Sequence, residues 1–304
     1  MPLATEKLRF FISGVNGYLG SFIAVTLANS GHVVYGSASK IPKNNLCEHL
    51  KGFFIIDFAD FPMSRPVLPE VDIIIHAAGP SAEDCADACA KELQGWAYSF
   101  EAFFTLSLSF CRGPFIFLST ANVFNLDNRS QVYNESSIPN NKTAYGRFKF
   151  NLERYLQDKY RRQVVILRLP SIFGSHRYAR PSAWIPLVNR LINEFKDSGN
   201  IHILNKKISR PICSLESFST AFLQLLLDVH HPTSQSVVLR HFGVKSYTLK
   251  SIKSLVLSIG ESPLGAEGLK QDDGLLTFTS HQERYSSICE LNDLSRAIEK
   301  EIHF

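Results

Sequence analysis

The chain has 304 residues, 45% hydrophobic and 20% charged, with a net charge of +4, an ordinary profile for a globular enzyme with one large domain and a smaller one. No basic block follows the spacing of a phosphate backbone, which argues against nucleic acid as a partner. No apolar run approaches the roughly 20 residues that cross a bilayer, and the opening Met-Pro-Leu-Ala-Thr-Glu-Lys lacks the order of a signal peptide, so no membrane association and a cytoplasmic location are expected.

Strand and helix patterns alternate through the first half. Leu8–Ser13 reads as a strand, Tyr18–Ser30 as a helix closed by Gly31, and His32–Ser37, Phe53–Asp57 and Val71–His76 as further strands. Short, continuously apolar strands suit a parallel sheet covered on both faces. A long helical region runs from Ser81 to Cys111, followed by a strand at Pro114–Ser119, a helix at Thr143–Tyr160 and a strand at Val164–Leu169. This rhythm predicts an α/β fold with a doubly wound parallel sheet. Beyond Leu169, prolines 170, 181, 186 and 211 break the pattern, and helices are expected near Ile185–Lys196, Glu216–Val229, Leu249–Leu257 and Asn292–Glu301. They would form a smaller, mostly helical region over the open edge of the sheet. The six cysteines are scattered, which fits a reducing compartment. The one close pair, Cys85 and Cys89, has helical spacing and no histidine nearby, so it reads as core packing and no metal site is expected.

The first strand runs into Ser13-Gly14-Val15-Asn16-Gly17-Tyr18-Leu19-Gly20. Glycines three apart, between a strand and a helix, let the backbone approach a diphosphate, and the helix start turns its N–H groups and positive dipole end toward it. In such a sheet the ligand lies beyond the carboxyl ends of the strands. Thr120 falls there, directly after the fifth strand. Tyr145 and Lys149 are four apart on the next helix and so share a face. A neighbouring ammonium favours a phenolate and is expected to lower the tyrosine pKa, while the threonine hydroxyl holds the substrate oxygen.

These segments, together with Asp57-Phe58, His76-Ala77-Ala78-Gly79, Leu118-Ser119-Thr120-Ala121-Asn122-Val123-Phe124, Tyr145-Gly146-Arg147-Phe148-Lys149 and Arg168-Leu169-Pro170-Ser171-Ile172-Phe173-Gly174, resemble the extended short-chain dehydrogenases/reductases that act on nucleotide-linked sugars. The resemblance implies a Rossmann domain over 1–168, with 205–240 returning to it, and a substrate-binding region over 169–204 and 241–304. It implies a catalytic Thr120, Tyr145 and Lys149. It places the cofactor along Gly14, Asn16, Gly17, Tyr18, Leu19 and Gly20, by Asp57 and Phe58 at the adenine, and by Ala77, Ala78, Gly79 and Pro170, with Tyr145 and Lys149 at the nicotinamide end. The nucleotide-sugar substrate would meet Ser81, Asn122, Ser171 and Arg210, the last in the similar segment Ser209-Arg210-Pro211-Ile212.

The departures narrow the chemistry. Users of NAD carry Asp or Glu at the end of the second strand, whereas this chain has Ala38, flanked by Ser37, Ser39 and Lys40. A cation and hydroxyls without a carboxylate suit a 2′-phosphate, so NADP is the first expectation and NAD the second. Sugar 4,6-dehydratases of the family have an acidic pair where Ala121 and Asn122 stand. The Cys and His of the GDP-fucose enzymes fall on Asn122 and Ala183. Phe124 replaces a frequent tyrosine. The segment 119–124, with Tyr133-Asn134-Glu135, is closer to the reductases of dTDP-4-keto sugars. A 4-epimerase with tightly held NAD is the alternative, and a non-catalytic NADP-binding subunit a third reading. Apolar side chains on 81–111 and 143–160 exceed what one sheet face needs, and relatives pair these helices, so a homodimer is expected.

Overall fold

The computed structural model describes residues 7–59, 61, 66–111, 113–126, 132–159, 164–178, 186–203, 209–230, 237–241, 244–261, 277–278 and 291–303. In chain order the elements begin β1 (Arg9–Ser13), α1 (Tyr18–Asn29), β2 (Val33–Ala38), β3 (Gly52–Ile55), β4 (Ile73–His76), α2 (Ala82–Asp87) and α3 (Ala90–Phe110). They continue with β5 (Phe115–Thr120), β6 (Val132–Tyr133), α4 (Ala144–Lys159), β7 (Val164–Leu169), β8 (Ser171–Phe173), α5 (Leu187–Ser198) and β9 (Ser209–Ser214). The last are α6 (Leu215–His230), β10 (Val237–His241), β11 (Val244–Thr248), α7 (Leu249–Glu261), β12 (Thr277–Phe278) and α8 (Leu291–His303).

Seven strands form one parallel sheet in the order β10-β7-β5-β4-β1-β2-β3. The order reverses between β1 and β4, so a crevice opens there beyond the carboxyl ends. Both faces are covered. Phe10, Ile12, Val34 and Ile116 pack with Ile23 and Leu27 of α1 and Phe218 and Phe222 of α6. On the other side Phe11, Ile74, Phe115 and Phe117 pack with Phe100, Phe103 and Phe104 of α3 and Phe148, Leu152 and Leu156 of α4. The doubly wound α/β fold expected from the strand pattern is the one observed.

Two expectations need correction. The helical region 81–111 is two helices. Cys89 is extended (φ −74°, ψ 166°), and its N–H donates to Glu92 Oε2 at 2.8 Å, so the chain restarts there as the cap of α3. Cys85 is therefore buried and Cys89 exposed, on separate elements. The C-terminal region is mostly helical, as expected, but it also carries a sheet that the pattern does not predict: β6, β12, β11, β9 and β8 form a second, mixed five-stranded sheet. Two of those strands have two residues each, too few for a periodic pattern, and Pro211 interrupts a third. Helices α5, α7 and α8 pack beside this sheet through Leu191, Ile192, Val256, Ile259, Leu294 and Ile298.

Candidate active site

The glycine loop is a backbone-on-backbone contact. A Cβ on Gly14, at φ +76°, would lie 2.7 Å from the Ala78 backbone, and one on Gly20 would lie 2.2 Å from the Gly14 carbonyl. Neither distance is compatible with a side chain, so the loop closes only with glycine. Gly14 and Val15 donate their N–H groups to Ser37 O at 2.7 and 3.0 Å, fixing the loop to the end of β2. No side chain caps α1, and its first turn carries no acid, so its positive end faces the crevice uncompensated.

A groove of about 350 Å³ opens at this point, within the range of small-molecule sites. Its wall is formed by Gly14, Asn16 and Gly17, by Ala38 and Ser39, by Asp57 and Phe58, by Ala77, Ala78 and Gly79, and by Lys149. A dinucleotide fits the chemistry of this cradle: small backbone for the diphosphate, the Phe58 ring for a base and the Lys149 ammonium all line it. Of the ribose-facing residues, Ser39 lines the groove, while Lys40 is exposed with its carbonyl accepting from Asn16 Nδ2 at 2.6 Å.

Four expected contacts are corrected. Ser37 is fully buried and its Oγ has no hydrogen-bond partner among the described residues, because strand alternation turns it under the loop. Tyr18 sends its hydroxyl to Gly174 O at 2.6 Å, and Leu19 packs into the core beneath α1, so at these positions only the backbone faces a diphosphate. Ser81 caps α2, accepting from Asp84 N at 3.1 Å while its own N–H donates to Asp84 Oδ2 at 2.7 Å.

Thr120 ends β5 opposite Leu169, the residue before Pro170, so these two strand ends are neighbours. Its Oγ1 accepts from Asn122 N at 3.1 Å. The start of α4 rests directly on this turn: a Cβ at Gly146 would come within 2.2 Å of Asn122 O. Tyr145 is thereby held against the Thr120 turn by main-chain contact. Lys149 is 7% exposed, donates to Leu118 O at 3.1 Å, and sits 4.8 Å from the Phe117 ring centroid and 5.9 Å from that of Tyr145. Ser171 pairs with Ile212, two residues along β9 from Arg210, so the two meet on one sheet. Arg210 donates to Ser209 O at 2.9 Å. Ala183 lies outside the described residues.

The electrostatics differ from expectation. Burial, with Cys85 adding to it, pushes the Tyr145 phenol above its usual range, and the lysine does not reverse this. Burial also draws Lys149 down to about 8, against the pull of Cys85 and Glu153. The Cys85 thiol, buried at 1% exposure, is itself pushed up to about 11, chiefly by burial.

Further residues at or near the groove were given no site role from the sequence. His76 accompanies Ala77 in the groove, with its Nδ1 2.8 Å from Ser13 Oγ, and burial, then Lys149, holds it neutral well below its usual range. Trp96, Phe100, Phe148 and Leu152 extend the groove between α3 and α4. Phe124 is buried, stacked on Tyr133 at 4.3 Å and on the Arg168 guanidinium at 5.0 Å. Among the described residues no group of three or more His, Cys, Asp or Glu is arranged to hold a metal, and no helix is long and apolar enough to cross a membrane.

Fold, glycine cradle and the Tyr145–Lys149 helix together define an extended short-chain dehydrogenase/reductase. The family model for the NAD dependent epimerase/dehydratase family matches residues 10–237, three quarters of the chain, and the chain belongs to that enzyme family. No curated protein matches the sequence. Among solved structures, it is similar to a UDP-glucose 4-epimerase from Stenotrophomonas maltophila with bound NAD and formylated UDP-arabinopyranose (TM-score 0.71, 16% identity, 97% of this chain and 98% of that one). It is similar to a UDP-N-acetylglucosamine 4-epimerase from Methanobrevibacter ruminantium M1 in complex with UDP-N-acetylmuramic acid (TM-score 0.72, 16% identity, 98% of each). An NAD-dependent NDP-hexosamine 5,6-dehydratase of tunicamycin biosynthesis also shares the fold (TM-score 0.64, 17% identity, 96% and 91%).

Proposed function

We propose that this enzyme reduces a nucleotide-linked 4-keto-6-deoxy sugar with NADPH. The observation that carries the reading is at the ribose end, where Ala38 and Ser39 stand in the wall with Lys40 beside them and no carboxylate ends β2. When bound, the nicotinamide supplies hydride to the sugar's C4. Tyr145 gives its phenolic proton to the C4 oxygen, which Thr120 positions from the adjacent strand end. A protonated phenol is the state from which a reduction starts, because the group is an acid in that direction. Lys149 holds the nicotinamide ribose and keeps positive charge beside the phenolate that remains, and Arg210 with Ser171 grips the substrate diphosphate.

The second reading is a 4-epimerase with tightly held NAD. The epimerases among the similar structures favour it, one of them with NAD bound. Mass spectrometry of the cofactor that purifies with the protein, followed by an absorbance assay with dTDP-4-keto-6-deoxyglucose, separates the two. Consumption of added NADPH is expected. Co-purified NAD, with an NDP-hexose epimerised without added cofactor, would replace reduction by epimerisation. The same reading expects a cytoplasmic homodimer through α3 and α4, where Tyr98 and Leu108 are 61% and 41% exposed. A monomer by light scattering at micromolar concentration would remove the dimer.

A further inference from the structure

Behind the candidate catalytic residues lies an ion pair that the chemistry above does not use. Arg168 on β7 and Glu153 on α4 are 3% and 0% exposed. The guanidinium grips the carboxylate by a fork, Nη2 to Oε2 at 2.6 Å and Nε to both oxygens at 3.1 Å. The carboxylate also accepts from Ser119 Oγ at 2.5 Å, and Arg168 Nη1 lies 3.3 Å from His241 Nε2 on β10. A fully buried pair of this kind is commonly no more stabilising than apolar residues of the same size, so packing alone does not account for it.

Its attachments are specific. Glu153 is one helical turn beyond Lys149, and Ser119 directly precedes Thr120. Lys149 in turn holds the carbonyl of Leu118. Two residues of α4 thus grasp two successive residues of β5, next to the residue assigned to hold the substrate oxygen. We infer that Glu153, braced by Arg168, is a positioning residue that sets Thr120 through Ser119 and keeps Lys149 charged in its buried place. This rests on the Thr120–Tyr145–Lys149 reading above. The other groups facing Lys149 are Tyr145 on its own helix, Cys85 on α2, His76 on β4 and the Phe117 ring on β5. Burial keeps Cys85 and His76 uncharged near neutral pH. Asp57 and Asp84 share the groove wall with Lys149, and Glu153, one turn further along the same helix, adds an upward pull on the Lys149 pKa.

Two variants of the full chain test this. Ser119→Ala cuts the tie to β5 and leaves the ion pair. It is expected to lower kcat about tenfold with KM unchanged, because a small misplacement at the reacting centre is costly, and to leave the alkaline limb of the pH profile where it was. Glu153→Met/Arg168→Met exchanges the pair for apolar groups of similar size. It is expected to fold, to lose about a hundredfold in kcat, and to titrate Lys149 at a lower pH by NMR of labelled lysine in the protein without substrate. A folded double variant with wild-type kcat and an unchanged Lys149 titration would overturn the inference. So would a Ser119→Ala variant that lost only melting temperature. If the double variant did not fold, the kcat-against-KM split of Ser119→Ala would decide alone. The lysine titration needs no turnover, so a wild type inactive on every sugar nucleotide would sink the functional reading and leave this test standing.

Discussion

The loops at the groove and the five-stranded C-terminal sheet are held by different kinds of contact. In the first, main chain meets main chain: the Gly14 and Gly20 approaches, the Ser37 carbonyl under the loop, and Gly146 against Asn122 leave no room for a side chain. The second is backed by side chains of α5, α7 and α8, such as Ile192, Val256 and Ile298. Backbone contacts fix distances to tenths of an ångström, whereas side-chain packing tolerates exchange of residues of similar volume. The first arrangement suits a cofactor and a proton transfer that do not vary. The second suits the substrate-binding role proposed for that region.

The largest effect that sharpens this contrast is expected at Tyr145, within the main-chain framework. Tyr145→Phe removes one hydroxyl and should lower turnover by about 10²–10⁴-fold while cofactor affinity, measured by NADPH fluorescence titration, stays the same. Wild-type turnover in that variant would break the assignment. Lys40→Glu comes next: losing a charge-assisted contact costs about 1.5–3 kcal/mol, so NADPH should weaken about ten- to a hundredfold and NADH much less. Equal losses for both would place the 2′-phosphate elsewhere. Gly20→Ala forces the loop away from the Gly14 carbonyl at a cost of about 1–3 kcal/mol, which should appear as lower denaturant stability together with weaker binding of either dinucleotide. Unchanged binding would show that the loop has more slack than its contacts indicate.

The smallest effect concerns proton linkage. Lys149 titrates near 8 in the folded protein against an ordinary 10.5, so between these values the unfolded chain holds the extra proton and stability rises with pH. Below about 8 both states are protonated and the burial penalty stands in full. Wild type should therefore gain melting temperature relative to Lys149→Met from pH 8 to 10.5, and turnover should fall above about pH 8 as the ammonium is lost. A pH-independent difference between the two proteins would contradict the burial of this charge.

Most of the seven-stranded sheet was legible because its strands are continuous apolar runs and its glycines obey a spacing with one geometric meaning. Ala38 and Ser39 at the groove were reached by counting from those glycines. Ser37 was misjudged because strand alternation, which hides it, outweighs nearness in sequence. The pKa of Tyr145 was misjudged because pairwise reasoning about Lys149 omits burial, which acts on both groups. The second sheet was illegible for a different reason: Val132–Tyr133 pairs with Thr277–Phe278, far apart in the chain and too short to carry a period. The Glu153–Arg168 pair joins a helix to a strand across the core, and although Arg168 is the one charged residue of its strand, nothing in the sequence names its partner.

The contact between Gly146 and Asn122 O also bears on how this protein can change over generations. A residue beside the proposed proton donor is barred from every side chain by the backbone carbonyl of Asn122, an atom that any residue at 122 would supply. Substitutions at Asn122 can accumulate without moving the carbonyl, so the turn is free to drift toward new substrates while the helix register stays locked. Position 146 admits one residue, and saturation mutagenesis at 122 and 146 should recover variety at 122 and glycine alone at 146. Such a hinge between a fixed letter and a variable one would let a lineage alter its substrate without first dismantling the proposed reacting step.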